Sequence, residues 1–385
     1  MSPSLSAVVD LCRAGAALIV LFGHLDALGY VPVDLGGRPN RIGHDAVIVF
    51  FVLSGLVIAH AAATSQRTGR AFAVARASRL YSVAVPAVLI GVALDRVGIA
   101  LDPADYPTWQ YPKWALHIAY QWLFLGESWT PGSIVPFSNV PYWSLHYEAW
   151  YYVLFGVATF ARGPARIAAV AAVVALMGPK LWLLLPAWLL GVAVCRASAQ
   201  PSPARPAASG PASPAGALGA AARAPARGRA VLIVVASACA YALFVRSGAQ
   251  AWLELLSQRL LAGLLAHPGY SRFFLADWVT AGLFALTLLG LARTPLRLPA
   301  VVVSAATAVA GVSFTLYLLH YPILMLVRAT HWLALPGWGA AAAAAAFVLA
   351  VVVPCARLFE HRREPWRRLF GALWDGMQAL RARLA

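Results

Sequence analysis

The stretch "VVDLCRAGAALIVLFGHL" (residues 8–25) is apolar over a length that crosses a bilayer, yet it holds Asp10, Arg13 and His24. A helix needs roughly 20 apolar residues to span the hydrocarbon layer. Ionisable residues inside such a span are costly and tend to face a cavity or a partner. Arg13 and His24 are eleven residues apart, so at about 100° and 1.5 Å per residue they share one helix face with about 16 Å of rise between them. Asp10, three residues before Arg13, is placed to pair with it. Snorkelling accounts for an arginine near a span end, but a histidine on the same face favours a shared polar cavity.

The remaining sequence reads the same way. The 385 residues are 61% hydrophobic and only 11% charged, outside the balance of a soluble domain. The expected fold is all-α, a polytopic membrane helical bundle with about ten transmembrane helices, near 7–26, 45–63, 80–98, 143–161, 164–178, 181–196, 230–246, 274–292, 311–328 and 338–358. Two shorter stretches, 113–126 and 249–267, read as interfacial or re-entrant. This assignment puts twenty of the 30 Lys and Arg residues on the side of both termini and nine on the other, with Arg13 inside the first span. The positive-inside rule makes the termini cytoplasmic.

The first span has no basic segment ahead of it and is interrupted by Asp10 and Arg13, so it reads as a permanent span and not a cleaved signal. Residues 197–229 are rich in Pro, Ala, Gly and Arg and read as a disordered cytoplasmic linker within a membrane domain of 1–358; residues 359–385 read as a basic cytoplasmic tail suited to anionic lipid. The net charge of +16 is scattered between apolar runs, which argues against nucleic acid. Cys12, Cys195, Cys239 and Cys355 lie in or at the ends of spans without CxxC spacing, so neither a metal site nor a disulfide framework is expected.

Three further constellations carry polar chemistry. In "VPYWSLHYEAWYY" (140–152), Trp143 suits an interfacial belt, while Glu148 lies one turn from Ser144 on the same face, near the depth expected for His24, which it could orient. In "VSFTLYLLHYPIL" (312–324), Ser313, Tyr317 and His320 form a stripe at i, i+4 and i+7, fit equally for a site or for hydrogen bonds between helices. In "RAFAVARASRLY" (70–81), Arg76 and Arg79, one turn apart, read either as positive-inside residues or as a small phosphate clamp.

Taken in order, "DLCRAGAALIVLFGH", "FFVLSGLVIAH", "RASRLY", "WSLHYE", "SFTLYLLHYP" and "FEHRREPWRR" resemble the motifs of acyltransferase family 3, integral membrane O-acyltransferases of bacterial surface sugars and related acceptors. The resemblance implies about ten spans in the bacterial inner membrane. It also implies an acyl-CoA donor, such as acetyl-CoA, with no bound cofactor, and a carbohydrate or glycan acceptor. It makes Arg13 and His24 the essential pair, with Glu148 beside them, and gives Arg76 and Arg79 to the phosphates of the donor. Asp10, Trp143, Ser144, Ser313, Tyr317 and His320 become substrate-contacting positions. His24 would be general base or transient acyl carrier. The segment "GHDAVIV" and Ser82 depart from the family pattern, and its soluble esterase-like extension is absent, so a separate periplasmic protein would supply that part if transfer requires one.

Rival readings are weaker. None of the nine histidines has aspartate five residues on, which excludes a His-x4-Asp acyltransferase, and no Gly-x4-Gly-Lys loop is present for a nucleotide-driven pump. A secondary transporter using Arg13, His24 and Glu148 as an ion or proton pathway is the serious alternative, although no internal repeat supports it.

Overall fold

Each of the ten apolar stretches is helical in the computed structural model, which describes residues 3–32, 38–198, 215–294, 298–332 and 336–384. The helices are α1 (Pro3–Ala27), α2 (Arg38–Thr64), α3 (Gly69–Leu101), α4 (Trp114–Trp122), α5 (Trp143–Phe160), α6 (Gly163–Met177), α7 (Pro179–Ser198), α8 (Ala215–Arg246), α9 (Ala249–Leu261), α10 (Phe274–Arg293), α11 (Ala300–Ala310), α12 (Ser313–Ala329), α13 (Trp338–Phe359) and α14 (Glu364–Leu384). Short 3-10 turns join some of them, and no strand occurs among the described residues. Among the described residues, seven helices are long and apolar enough to cross a membrane: α1, α2, α3, α7, α8, α10 with its preceding turn, and α13. The pair α11 and α12, bent by 45°, makes an eighth. The other two expected spans are α5, with 18 residues, and α6, with 15.

Three boundaries differ from expectation. The third span begins at Gly69 rather than near residue 80, because Thr68 caps the helix there, its hydroxyl accepting the Ala71 N–H at 3.2 Å. Arg76 and Arg79 are therefore well inside a helix, not at its edge. α8 is described from Ala215, within the stretch read as linker; residues 199–214 lie outside the described residues. The basic tail is not a loose extension: α14 packs on α3, where Arg70 donates twice to Asp375 at 2.7 Å and Tyr81 meets Phe370 at 5.1 Å.

Two glycines fix the centre of the bundle. A methyl group at Gly55 of α2 would fall on the Trp188 carbonyl of α7, and one at Gly191 of α7 on the Val52 carbonyl of α2. The two backbones touch, as small residues permit between membrane helices. That contact aligns Ser54, next to Gly55, with Trp188, whose indole N–H donates to the Ser54 hydroxyl at 3.2 Å. Trp188 and Leu184 are fully buried in this seam, whereas Leu232 and Leu243 of α8 are largely exposed, as a lipid-facing surface requires. α1 and α2 form an antiparallel hairpin, so the end of α1 and the start of α2 share the face opposite the termini.

Candidate functional site

On the face that carries both termini, a cavity of about 190 Å³ is lined by Arg13, Ser54, Arg76, Arg79, Ser144, Glu148, Tyr152, Ser313, Tyr317 and Arg363. α1, α3 and the connection between α13 and α14 supply the four arginines. Arg76 lies over the Tyr152 ring at 6.0 Å and Arg79 over Phe314 at 5.6 Å, contacts that hold the guanidinium groups without neutralising them. Among the described residues, Arg13, Arg76 and Arg79 make no ion pair within 4 Å, and the buried Nε of Arg76 has no hydrogen-bond partner. Arg363 donates from Nε to the Glu360 carbonyl at 2.7 Å; burial, followed by the nearby Arg79, pulls its pKa down to about 10. Glu360 itself accepts from the Thr315 N–H and hydroxyl at 3.0 and 2.8 Å. Among the described residues, Glu148 is the one carboxylate lining this cavity, and it accepts from Ser54 at 3.0 Å and from Tyr152.

On the opposite face, a cavity of about 480 Å³ is lined by His24, Arg41, His44, Trp143, Glu254, Tyr270, Arg272, Tyr317 and Tyr321. Trp143 stacks with two rings, Tyr270 at 4.4 Å and 7° and His44 at 5.7 Å and 11°. The wall beside them is a buried charge cluster. Arg41 pairs with Asp45 at 3.1 Å, with Asp277 at 3.3 Å and with Glu254, while His44 Nε2 sits 3.2 Å from Asp277. Asp45 also accepts from Tyr241 at 2.8 Å and Gln250 at 2.9 Å, which ties α8 and α9 to α2.

The two cavities meet back to back at α12. Tyr317 lines both. Its hydroxyl is 2.7 Å from the Ser144 hydroxyl and donates to the Pro141 carbonyl at 3.0 Å, and Phe50 meets its ring edge-on at 5.5 Å. One turn further along α12, His320 Nε2 is 2.9 Å from His24 Nδ1, and the Nδ1 of His320 reaches the Leu316 carbonyl at 2.9 Å.

The positions singled out in the sequence therefore divide by depth. Arg13, Arg76, Arg79, Glu148 and Ser313 line the first cavity, His24 and Trp143 the second, Ser144 and Tyr317 stand between them, and His320 is buried behind His24. Three expected relations are corrected. Glu148 does not stand beside His24: α5 runs from Trp143 toward the termini, and Glu148 is held by Ser54 and Tyr152 next to the arginines. Asp10 forms no ion pair with Arg13 within 4 Å, and it lines neither cavity while Arg13 turns into the first. Trp143 is buried and not part of an interfacial belt, a reading that suits the exposed Trp109, Trp114 and Trp129 better.

Ser54, Tyr152 and Arg363 of the first cavity, Arg41, His44 and Glu254 of the second, and Asp45 and Asp277 behind its wall escaped the sequence reading. Asp277 had a signal: a carboxylate three residues into an expected span needs a buried cation. Ser54 and Arg363 lie within "FFVLSGLVIAH" and "FEHRREPWRR", where spacing alone points to no partner for either.

Comparison with known families gives one match, a model described as an acyltransferase domain, over residues 7–357, which contain every residue of both cavities except Arg363. No curated protein and no solved structure matches the chain.

Proposed function

Because the chain belongs to acyltransferase family 3 and is a membrane acyltransferase, we propose that it moves an acyl group, acetyl in the simplest case, from an acyl-CoA in the cytoplasm to a hydroxyl of an exported or cell-surface glycan. The observation that carries this reading is the pair of cavities set back to back, one rich in arginine and the other walled by aromatic rings and mixed charges, with His24 on the second. Four arginines around one carboxylate suit a ligand bearing several phosphates, which is the chemistry of a CoA head. The larger cavity offers ring faces and paired charged groups, the usual means of holding a hydroxyl-rich ring.

In this reading Arg76, Arg79 and Arg363 hold the phosphates at the cytoplasmic face of a bacterial inner membrane, and Arg13 steadies the thioester arm as it passes Ser144 and Tyr317. The acceptor hydroxyl gives its proton to His24 while its oxygen attacks the acyl carbon. The C–S bond breaks, the thiolate leaves, and the proton on His24 is returned to that sulfur. An ester and a free thiol result. Glu148 stays among the arginines and keeps the empty clamp from accumulating charge.

The test is transfer of labelled acetyl groups from acetyl-CoA, supplied on the side of the termini, to glycan inside proteoliposomes, read by mass spectrometry. Transfer by the wild-type chain and its loss in His24→Ala are expected. Uptake of solute without acylation, or full transfer by folded His24→Ala, overturns the proposal.

A further inference from the structure

The structure assigns His320 as a positioning residue that fixes the tautomer and ring orientation of His24, so that His24 Nε2 presents its lone pair to the cavity opposite the termini. This rests on the role given to His24 above and adds a second histidine to it.

The assignment follows from donors and acceptors taken in order. The Leu316 carbonyl can only accept, so the proton of the neutral His320 ring sits on Nδ1, 2.9 Å away. The Nε2 of His320 is then an acceptor. The atom 2.9 Å from it, His24 Nδ1, must donate. A neutral His24 protonated on Nδ1 has its lone pair on Nε2; the Val20 carbonyl, one turn back on α1, is a second backbone acceptor for the same ring. The Leu316 carbonyl thus sets the basic nitrogen of a ring 296 residues away from its partner in sequence. A group that orients a catalytic base through its second nitrogen is a recurring device. Here a neutral imidazole backed by a carbonyl takes the place that an acid holds elsewhere.

Packing makes the arrangement rigid. His320 is fully buried on α12, whereas His24 is half-buried and lines the cavity. The Tyr321 ring meets His24 edge-on at 4.9 Å, so the imidazole is held by a hydrogen bond from one side and an aromatic ring from the other. When His24 takes a proton from the acceptor, the charge is stabilised through the same bond: Nδ1–H donates to a neutral acceptor in both states, and no second proton has to move.

Two measurements test this. In wild-type protein labelled with nitrogen-15 histidine, Nδ1 of His24 is expected to give a protonated, pyrrole-type resonance and Nε2 an unprotonated, pyridine-type one; the reverse pattern overturns the assignment without any variant. In the transfer assay, His320→Phe, which keeps the ring volume and removes the acceptor, is expected to lower kcat by about 10²-fold or more, with KM for the donor within about threefold. His320→Gln, whose amide oxygen can accept from Nδ1–H, is expected to recover activity to within about tenfold of wild type. If His24→Ala is inactive while His320→Phe keeps its kcat, or if Phe and Gln are equally impaired, His320 has no positioning role even though the proposed function stands. If His24→Ala is active, the function itself falls.

Discussion

The arginine clamp can be tested against its ligand one phosphate at a time. Arg76, Arg79 and Arg363 line the first cavity from two separate segments, and neither Arg76 nor Arg79 has a carboxylate within ion-pair distance among the described residues. A guanidinium without an internal partner spends none of its charge before the ligand arrives. Each phosphate contact should then count as a charged hydrogen bond, about 1.5–3 kcal/mol. At about 1.4 kcal/mol per decade, replacing Arg76 or Arg79 by alanine should weaken CoA binding about 10- to 150-fold, and replacing Arg363, whose guanidinium already lies 4.0 Å from Glu360, should fall toward the lower end of that range. The assay is isothermal calorimetry on purified protein, with CoA and with 3′-dephospho-CoA against each variant. The arginine that grips the 3′-phosphate should show its full loss with CoA and almost none with the dephosphorylated ligand, whereas the other two should lose as much with either. The shared loss is the coupling energy of that pair. Binding of CoA within threefold of wild type in all three variants would refute the clamp.

Three other expectations follow from the geometry. Arg41→Met leaves three carboxylates facing one another and should cost at least about 3–5 kcal/mol, whereas Asp277→Asn leaves Arg41 with Asp45 and Glu254 and should cost about 1–3; thermal unfolding in detergent gives the order, and an equal or larger loss in Asp277→Asn would contradict the assignment of Arg41 as the hub. Gly191→Ala should lower stability by about 1–3 kcal/mol, since the added methyl meets the Val52 carbonyl and α2 must move off α7; unchanged melting would show that the seam can relax. Glu127, fully buried 3.5 Å from Lys180 in the connection before α5, has its pKa raised to about 7 by burial. The folded chain therefore keeps a proton that the unfolded chain gives up near the ordinary value of 4.5, so stability should fall as pH rises between those values and level off above about 7. Glu127→Gln should flatten that slope, and melting curves at pH 5 and pH 8 measure it.

What could be read in the sequence was what local spacing encodes. The apolar runs gave the spans because each must be long enough to cross hydrocarbon on its own. The eleven-residue interval gave Arg13 and His24 one face and two depths because a helix is regular. Partners are a different matter. His24 meets His320 across 296 residues, Glu148 meets Ser54 across 94, and no periodicity in either segment points to the other. Glu148 was misplaced for a related reason: its depth is set by where α5 enters, and the loop before it is drawn inward when Asp95 of α3 accepts the Ser138 N–H at 2.9 Å and its hydroxyl at 2.5 Å. The Arg41 cluster was hidden by being split. Its members are spread over the first turns of α2 and α10 and the middle of α9, and apart from Asp277 each alone passes for an ordinary charge at a membrane surface.

The stripe on α12 shows why the split between cavities is a property of one helix. Ser313, Tyr317 and His320 advance about 1.5 Å per residue along a single face, so one element reaches the arginine cavity, the partition and the base in succession. α1 does the same in the same direction with Arg13 and His24. Two helices that run parallel across the bundle therefore mark both ends of the path, and the bond between His24 and His320 locks them in register at its far end. A one-turn slip of α12 against α1, about 5.4 Å, would break that bond and carry Tyr317 off Ser144 at the same time. On the role proposed for His24, the partition and the tautomer of that ring are coupled: sliding α12 to open a way past Tyr317 would also break the bond that sets His24, whereas rotation of the Tyr317 side chain alone would leave it in place. The proposed transfer is compatible with the second motion, and the hydroxyl pair of Ser144 and Tyr317, 2.7 Å apart, is the contact that motion would break.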